Sequence, residues 1–218
     1  MPARGLWGSH SWLQPPFQAA ITEFPGEKPQ LLPTIFSMEH YERRLPHWNL
    51  IGNPLFVTFR LHGTLPDNRI FPPDYLAHSG KAFATMDRIL DTTILGPRFL
   101  ADPRIAQLVV GALQHGAAVS GRYELHSFVV MPNHVHILVT SQVASPEWLG
   151  PLKGFTAHRA NQILGRHGEP FWQDESYDHL VRSGAEFERI RGYIEQNPVT
   201  AGLVTAADQY RWSSARAA

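Results

Sequence analysis

The stretch YELHSFVVMPNHVHILVT, Tyr123 to Thr140, constrains the fold more than any other: two apolar, alternating runs are split by Met131-Pro132-Asn133. Runs of this composition broken by turn residues read as a hairpin of two antiparallel strands. Side chains alternate along a strand, so Val135, Ile137 and Val139 point one way while His134, His136 and Leu138 point the other. The two histidines therefore share a face. Two imidazoles so placed can bind one divalent ion and leave positions open for a substrate oxygen. Spacing alone does not decide the matter, because 12 histidines in 218 residues give about 0.7 such pairs by chance. Two satisfied or exposed strand histidines are the alternative.

The flanking chain supplies the other elements. PLFVTFRLHG, Pro54 to Gly63, has the β-branched and aromatic content of a first strand. After a proline-rich stretch and a short helix expected from about Tyr75, Asp102-Pro103 opens a helix with the stripe Ile105, Leu108, Val109, Ala112 and Leu113. Ser145-Pro146-Glu147 opens a second by the same logic of cap then proline, running through Leu149, Leu152, Phe155, Ile163 and Leu164 to about Gly165. SYDHLVRS supplies a fourth strand, and a last helix spans about Ala185 to Asn197, ending before Pro198. The order strand, helix, strand, strand, helix, strand suggests an α+β fold: a ferredoxin-like antiparallel sheet with helices on one face. On the last helix Phe187, Ile190 and Ile194 form the buried stripe, and Tyr193 and Asn197 lie together on its flank, one turn apart. An aromatic there commonly only packs. A nucleophilic tyrosine on a rigid helix, with an amide beside it, is the other reading.

Composition narrows the classes. The absence of cysteine excludes disulfides, thiolate metal sites and cysteine nucleophiles, so a metal must rest on histidines, carboxylates or amides. No apolar run approaches the roughly 20 residues of a bilayer span, and the first residues lack the features of a secretory signal, so a cytoplasmic protein without a membrane role is expected. Lys+Arg 19 against Asp+Glu 19 gives zero formal charge, which counts against a duplex binder living on phosphate neutralisation. It is compatible with a local groove for single strands lined by aromatics, of which six are Trp. Residues 1–40 read as a flexible proline-rich tail and 41–218 as one domain.

Several longer motifs occur in order: RRLPHW (Arg43 to Trp48), FVTFRLHGTLP (Phe56 to Pro66), FVVMPNHVHILV (Phe128 to Val139), LKGFTAHRAN (Leu152 to Asn161), FWQDESYDHLVR (Phe171 to Arg182), YIEQNPVTAGLV (Tyr193 to Val204) and WSSA (Trp212 to Ala215). Together, from about Tyr41 to Ala215, they resemble the REP-associated tyrosine transposases, a branch of the IS200-like, single-tyrosine HUH transposase superfamily. The resemblance implies a ferredoxin-like core with the histidines on a central strand and the catalytic tyrosine on a following C-terminal helix. It implies Mg²⁺ or Mn²⁺ held by His134, His136 and a polar residue of that helix, for which Asn197 matches, with Glu195 and Gln196 its neighbours. It also implies ATP-independent nicking and strand transfer on single-stranded or hairpin DNA, through a 5′-phosphotyrosine at Tyr193. Relatives vary between monomer and homodimer.

Arg43, Arg44, Arg60, His62, Lys153, His158 and Arg159 are candidates for DNA contact, with ordinary solvated charge as the alternative for each. Phe171-Trp172 and Trp212 could stack on bases, although buried packing is the commoner fate of such aromatics. Two rival functions remain at this level: a domesticated hairpin-binding regulator that no longer moves DNA, and a His-based metallohydrolase using activated water. The resemblance begins only near Tyr41, so translation from Met38 is expected to suffice. Deleting residues 1–37 should leave strand-transfer activity and melting temperature unchanged; a large loss of either would show that the tail packs on the core.

Overall fold

The structure, a computed structural model, describes residues 39–42, 46–49, 51–64, 90 and 96–216. The helix expected from about Tyr75 lies outside them, as do Arg43 and Arg44 and all of the expected tail except Glu39 and His40. A small hairpin comes first, β1 (Glu39–Glu42) and β2 (Pro46–Asn49), and β1 spans the expected boundary between 40 and 41. The core follows in the expected order: β3 (Pro54–Arg60), α1 (Pro103–Ala118), β4 (Tyr123–Val130), β5 (His134–Ser141), α2 (Ser145–Leu164), β6 (Tyr177–Leu180) and α3 (Gly184–Thr200).

The core strands form one antiparallel sheet of order β4-β5-β3-β6, the ferredoxin-like arrangement. Leu55, Val57, Phe59, Val135, Ile137 and Val139 face α1 and α2, which cover one side as expected. The C-terminal helix α3 is an addition to that β-α-β-β-α-β core and packs on the opposite side, where Ile190 and Ile194 meet Phe56, Val129 and Leu138. Both faces of the sheet are thus buried, which explains why β5 is almost entirely inaccessible.

Local chemistry accounts for most of the element ends. Asp102 caps α1 by accepting from the Arg104 N–H at 2.9 Å, with Pro103 in the first turn where no backbone donor is needed. The glycine at 116 lets α1 cross the Tyr123 ring, whose hydroxyl donates to the Leu113 carbonyl at 2.8 Å; a Cβ at 116 would overlap the phenol. Burial pushes the Tyr123 phenol up to about 12.

Three local expectations need correction. Ala144, not Ser145, is the N-cap of α2, and no side chain caps that end; the helix start rests on Pro146 in the first turn. The buried face of α2 is Trp148, Leu152, Thr156 and Ala160 rather than the stripe through Phe155, which is 53% exposed. Thr156 earns its place by bonding the Leu152 carbonyl at 2.7 Å and accepting from Trp172 Nε1 at 2.9 Å. Helix α3 does not stop at Asn197: it continues through Pro198 to Thr200. Proline's φ suits a helix and its missing N–H costs a single bond near the end, while Ala201 N–H reaches the Asn197 carbonyl and Leu203 N–H the Pro198 carbonyl, both at 2.9 Å.

The start of α3 is held by Ser183, which caps Glu186 N–H, and by Glu186 itself. One Glu186 oxygen pairs with His179 Nε2 of β6 at 2.8 Å and the other accepts from Arg182 N–H at 2.7 Å. Burial alone would raise this carboxyl, but the hydrogen bonds and charges of His179 and Arg182 together outweigh it, so its pKa lies below the ordinary value. A depressed folded-state pKa gives stability that is present above the unfolded value of about 4.3 and is lost as pH falls through the lower folded value. Glu186→Gln should therefore destabilise the protein by about 1–3 kcal/mol at neutral pH, and the gap to wild type should narrow in denaturant melts below about pH 4. A gap independent of pH would show that the carboxylate's charge is not what holds α3 to β6.

Candidate metal and nucleophile site

The strand register brings the site together. Reading across the sheet on the α3 side, Val129, His136, Thr58 and Tyr177 form one row, and Arg60 lies opposite His134 one step along. Both histidine side chains are 0% exposed. Their rings stand 4.6 Å apart between centroids, tilted by 69°. Each Nδ1 is engaged by a neutral group: Asn133 Oδ1 lies 2.7 Å from that of His134, and Thr58 Oγ1 2.7 Å from that of His136. Such partners orient imidazoles for metal binding.

Helix α3 lies over this pair. The Tyr193 ring sits edge-on to His136 at 5.7 Å between centroids, and Phe56 stacks on His136 at 5.6 Å while meeting Tyr193 edge-on at 6.3 Å. One turn along, Asn197 is 1% exposed, and its amide N–H₂ donates a long 3.4 Å hydrogen bond to the Tyr193 hydroxyl. The remaining Asn197 atom, the carbonyl oxygen Oδ1, is buried and has no hydrogen-bond partner among the described residues. A buried amide oxygen left so is costly, by about 1–3 kcal/mol, unless something else fills its lone pairs. The neighbouring alternatives differ: Gln196 is exposed and Glu195 only half-buried. Among the described residues no three or more His, Cys, Asp or Glu side chains cluster to hold a metal. The donors present here are two imidazoles and one amide, a set that suits a divalent ion retaining open positions.

The candidate DNA contacts divide by face. Arg60 shares the histidine side, with its Nη1 donating to Thr64 Oγ1 at 3.0 Å. His62 follows just beyond β3 and is exposed. Lys153, His158 and Arg159 ride on α2, across the sheet from the histidines, where Lys153 Nζ is tied to the Gln173 and Asp174 carbonyls at 2.7 and 2.8 Å. Phe171 and Trp172 are buried in the core under α2, as packing predicts, and Trp212 is half-buried beneath the Arg211 guanidinium.

Of the other described tyrosines, Tyr123 lies in the core on the α1 side, and Tyr210 donates its hydroxyl to the Val130 carbonyl at 3.0 Å. Burial pushes the Tyr210 phenol up to about 12. Tyr177 alone shares the row of Thr58 and His136. Two residues that touch the histidines, Thr58 and Asn133, were not among the expected site residues. Asn133 stands directly before His134 and could have been noticed; Thr58 is 78 residues away from His136 and carries no local signal.

No curated protein matches the chain. Among solved structures, a REP-associated tyrosine transposase bound to a REP hairpin aligns over 81% of this chain and 82% of its own, with 16% identity and a TM-score of 0.49. Within residues 105–197, a span that holds both histidines, Tyr193 and Asn197, the sequence matches the family model of IS200-like transposases.

Proposed function

We propose that this chain is a divalent-metal-dependent DNA strand transferase that cleaves single-stranded or hairpin DNA through Tyr193. The observation that carries this reading is the stacking of α3 on the histidine pair, with the Tyr193 ring 5.7 Å from that of His136 and the Asn197 amide on the tyrosine hydroxyl. The match to IS200-like transposases over the same residues supports it. His134, His136 and Asn197 would hold Mg²⁺ or Mn²⁺, and the partnerless Asn197 Oδ1 fits a third ligand. When bound, such an ion neutralises charge on the scissile phosphate.

The chain's own residues do the rest. Tyr193 Oη attacks phosphorus, a P–O bond to the tyrosine forms, and the bond to the 3′-oxygen breaks. The phenolic proton leaves to solvent, and the departing oxygen takes one up to become a 3′-hydroxyl. The downstream strand stays on Tyr193 as a 5′-phosphotyrosine. One phosphodiester replaces another, so no ATP is consumed, and the 3′-hydroxyl can reverse the step. A phenol, with a reference pKa of about 10, is a weak nucleophile at neutral pH but a good leaving group. The Asn197 N–H₂ donates to the Tyr193 oxygen, which steadies the phenolate once its proton has left and again when tyrosine departs in the reverse step. Phe56, Ile190 and Ile194 keep the floor apolar, which strengthens these electrostatic contacts. Arg60 and His62 are on hand for neighbouring phosphates; Lys153, His158 and Arg159 would meet only DNA that wraps to the far face, and Arg43 and Arg44 precede the core in sequence.

Tyr193→Phe removes only the nucleophilic oxygen. It should abolish the covalent protein–DNA adduct on a denaturing gel while leaving hairpin binding within a few fold. An adduct that persists in this variant would transfer the role to another tyrosine, with Tyr177 the first to test. Wild-type protein that binds hairpins without ever forming an adduct would indicate a regulator, and adduct-free cleavage a water-using hydrolase.

Asn197→Ala should raise the Mn²⁺ or Mg²⁺ concentration needed for cleavage by about tenfold or more, with metal-free hairpin binding unchanged. If Glu195→Ala alone shifts the metal requirement, the carboxylate is the ligand and the amide is not.

A further inference from the structure

We infer that Asn133 is a positioning residue that sets the tautomer of His134, leaving the lone pair of Nε2 for a metal ion. The inference rests on the metal reading above and concerns a residue outside the ligand set.

The two ends of an amide are nearly the same shape, so its orientation is decided by its partners. Asn133 is buried, and its side chain reaches the main-chain carbonyl of Leu90 at 2.9 Å. A carbonyl can only accept, so the Asn133 N–H₂ must face Leu90. The amide oxygen must then face His134, where it lies 2.7 Å from Nδ1. That oxygen also can only accept. His134 Nδ1 must therefore carry a proton, and a neutral imidazole has one, so Nε2 is the basic nitrogen. The chain of constraint begins at a backbone carbonyl 43 residues upstream of Asn133 and ends on a ring nitrogen.

The main chain holds the relay in place. The Asn133 carbonyl accepts from Leu61 N–H at 2.9 Å, pinning the turn to the end of β3, and Met131 N–H closes the turn on the His134 carbonyl at 2.9 Å. The partner of His136 is different in kind: the Thr58 hydroxyl can donate or accept, so it orients that ring without dictating its proton. Of the two histidines, only His134 has its tautomer dictated by these hydrogen bonds.

Substitution separates this role from a structural one. Asn133→Ala loses both the bond to Leu90 and the acceptor for His134. Asn133→Asp also loses the donation to Leu90 but keeps an acceptor oxygen for Nδ1–H. Titrating the full-length protein with Mn²⁺ alone, without DNA, and following free Mn²⁺ by electron paramagnetic resonance, Asn133→Ala should bind about 10–100-fold more weakly. Asn133→Asp should stay within a few fold of wild type, although both variants melt at lower temperature. Long-range proton–nitrogen spectra of the metal-free wild type should show His134 protonated at Nδ1. Equal loss of Mn²⁺ affinity in both variants, no loss in Asn133→Ala, or a wild-type spectrum with the proton on Nε2 would each overturn the inference. Should Asn133→Ala fail to fold, a tenfold loss in Asn133→Asp would overturn it alone. Undiminished Mn²⁺ binding in His134→Ala would instead sink the metal reading on which the inference stands.

Discussion

Strand β5 is hydrogen-bonded along both edges, to β3 and to β4, and its side chains alternate between two separate cores. Everything else at the site depends on that register. Val135, Ile137 and Val139 fill the layer under α1 and α2, while His134, His136 and Leu138 belong to the layer under α3. A slip of one residue would bury two imidazoles among Leu55, Val57 and Phe59 and turn three branched aliphatics toward Tyr193. Burying polar rings in an apolar layer without partners costs several kcal/mol, so the register is strongly specified. The bulge in β4 between Leu125 and Ser127 belongs to the same account, because the shift it introduces sets Val129 opposite His136.

How much of this could be read in the sequence follows from the range of each interaction. Alternation has a period of two and helical faces a period of 3.6, so the shared face of His134 and His136 and the proximity of Tyr193 to Asn197 were visible within a few residues. The four core strands and their order were visible for the same reason. What was hidden is what depends on distant partners. Phe155 looks like a core residue by spacing, yet α2 turns Trp148 and Thr156 inward because Ser141 Oγ and Trp172 Nε1 are there to bond them. The segment at Trp212–Ser214 has no strand pattern, but it seals the outer edge of β4: Val130 N–H bonds the Trp212 carbonyl at 2.8 Å and Ser214 N–H the Phe128 carbonyl at 2.9 Å. Phe171 to Gln173 extends the sheet beyond β3 in the same way, through His62 and Arg60. Neither pairing has a local cause.

The groups that engage Nδ1 of both histidines are neutral. A carboxylate beside an imidazole would make it a stronger ligand and would cancel part of the charge of any bound cation. Here the imidazoles lean on an amide and a hydroxyl, and the third candidate ligand is another amide. In the proposed reading a divalent ion would keep nearly its full charge for the phosphate. In that reading a chain of zero formal charge would meet an anionic substrate through the ion itself. The corresponding cost is affinity, since neutral ligands bind Mg²⁺ or Mn²⁺ weakly without the phosphate oxygens that complete the shell.

Helix α3 carries Tyr193 and Asn197, and its ends determine how firmly they are held over the histidine pair. At 100° per residue a rotation of the helix by one position would swing Tyr193 off the histidines entirely. Two anchors prevent this. Near the start, Glu186 is bonded to His179 of β6 and to the Arg182 N–H, so the first turn is tied to the sheet edge. Along the middle, Ile190 and Ile194 lock against Phe56, Val129 and Leu138. Pro198, which by itself argues for stopping the helix at Asn197, instead falls where only the Ile194 carbonyl loses a partner, and it leaves Asn197 within a full helical turn. Had the helix ended at Asn197, that residue would lie in a fraying last turn without the Ala201 N–H that now bonds its carbonyl at 2.9 Å. Continuing through the proline keeps Tyr193 and Asn197 within one helical segment, on the same flank.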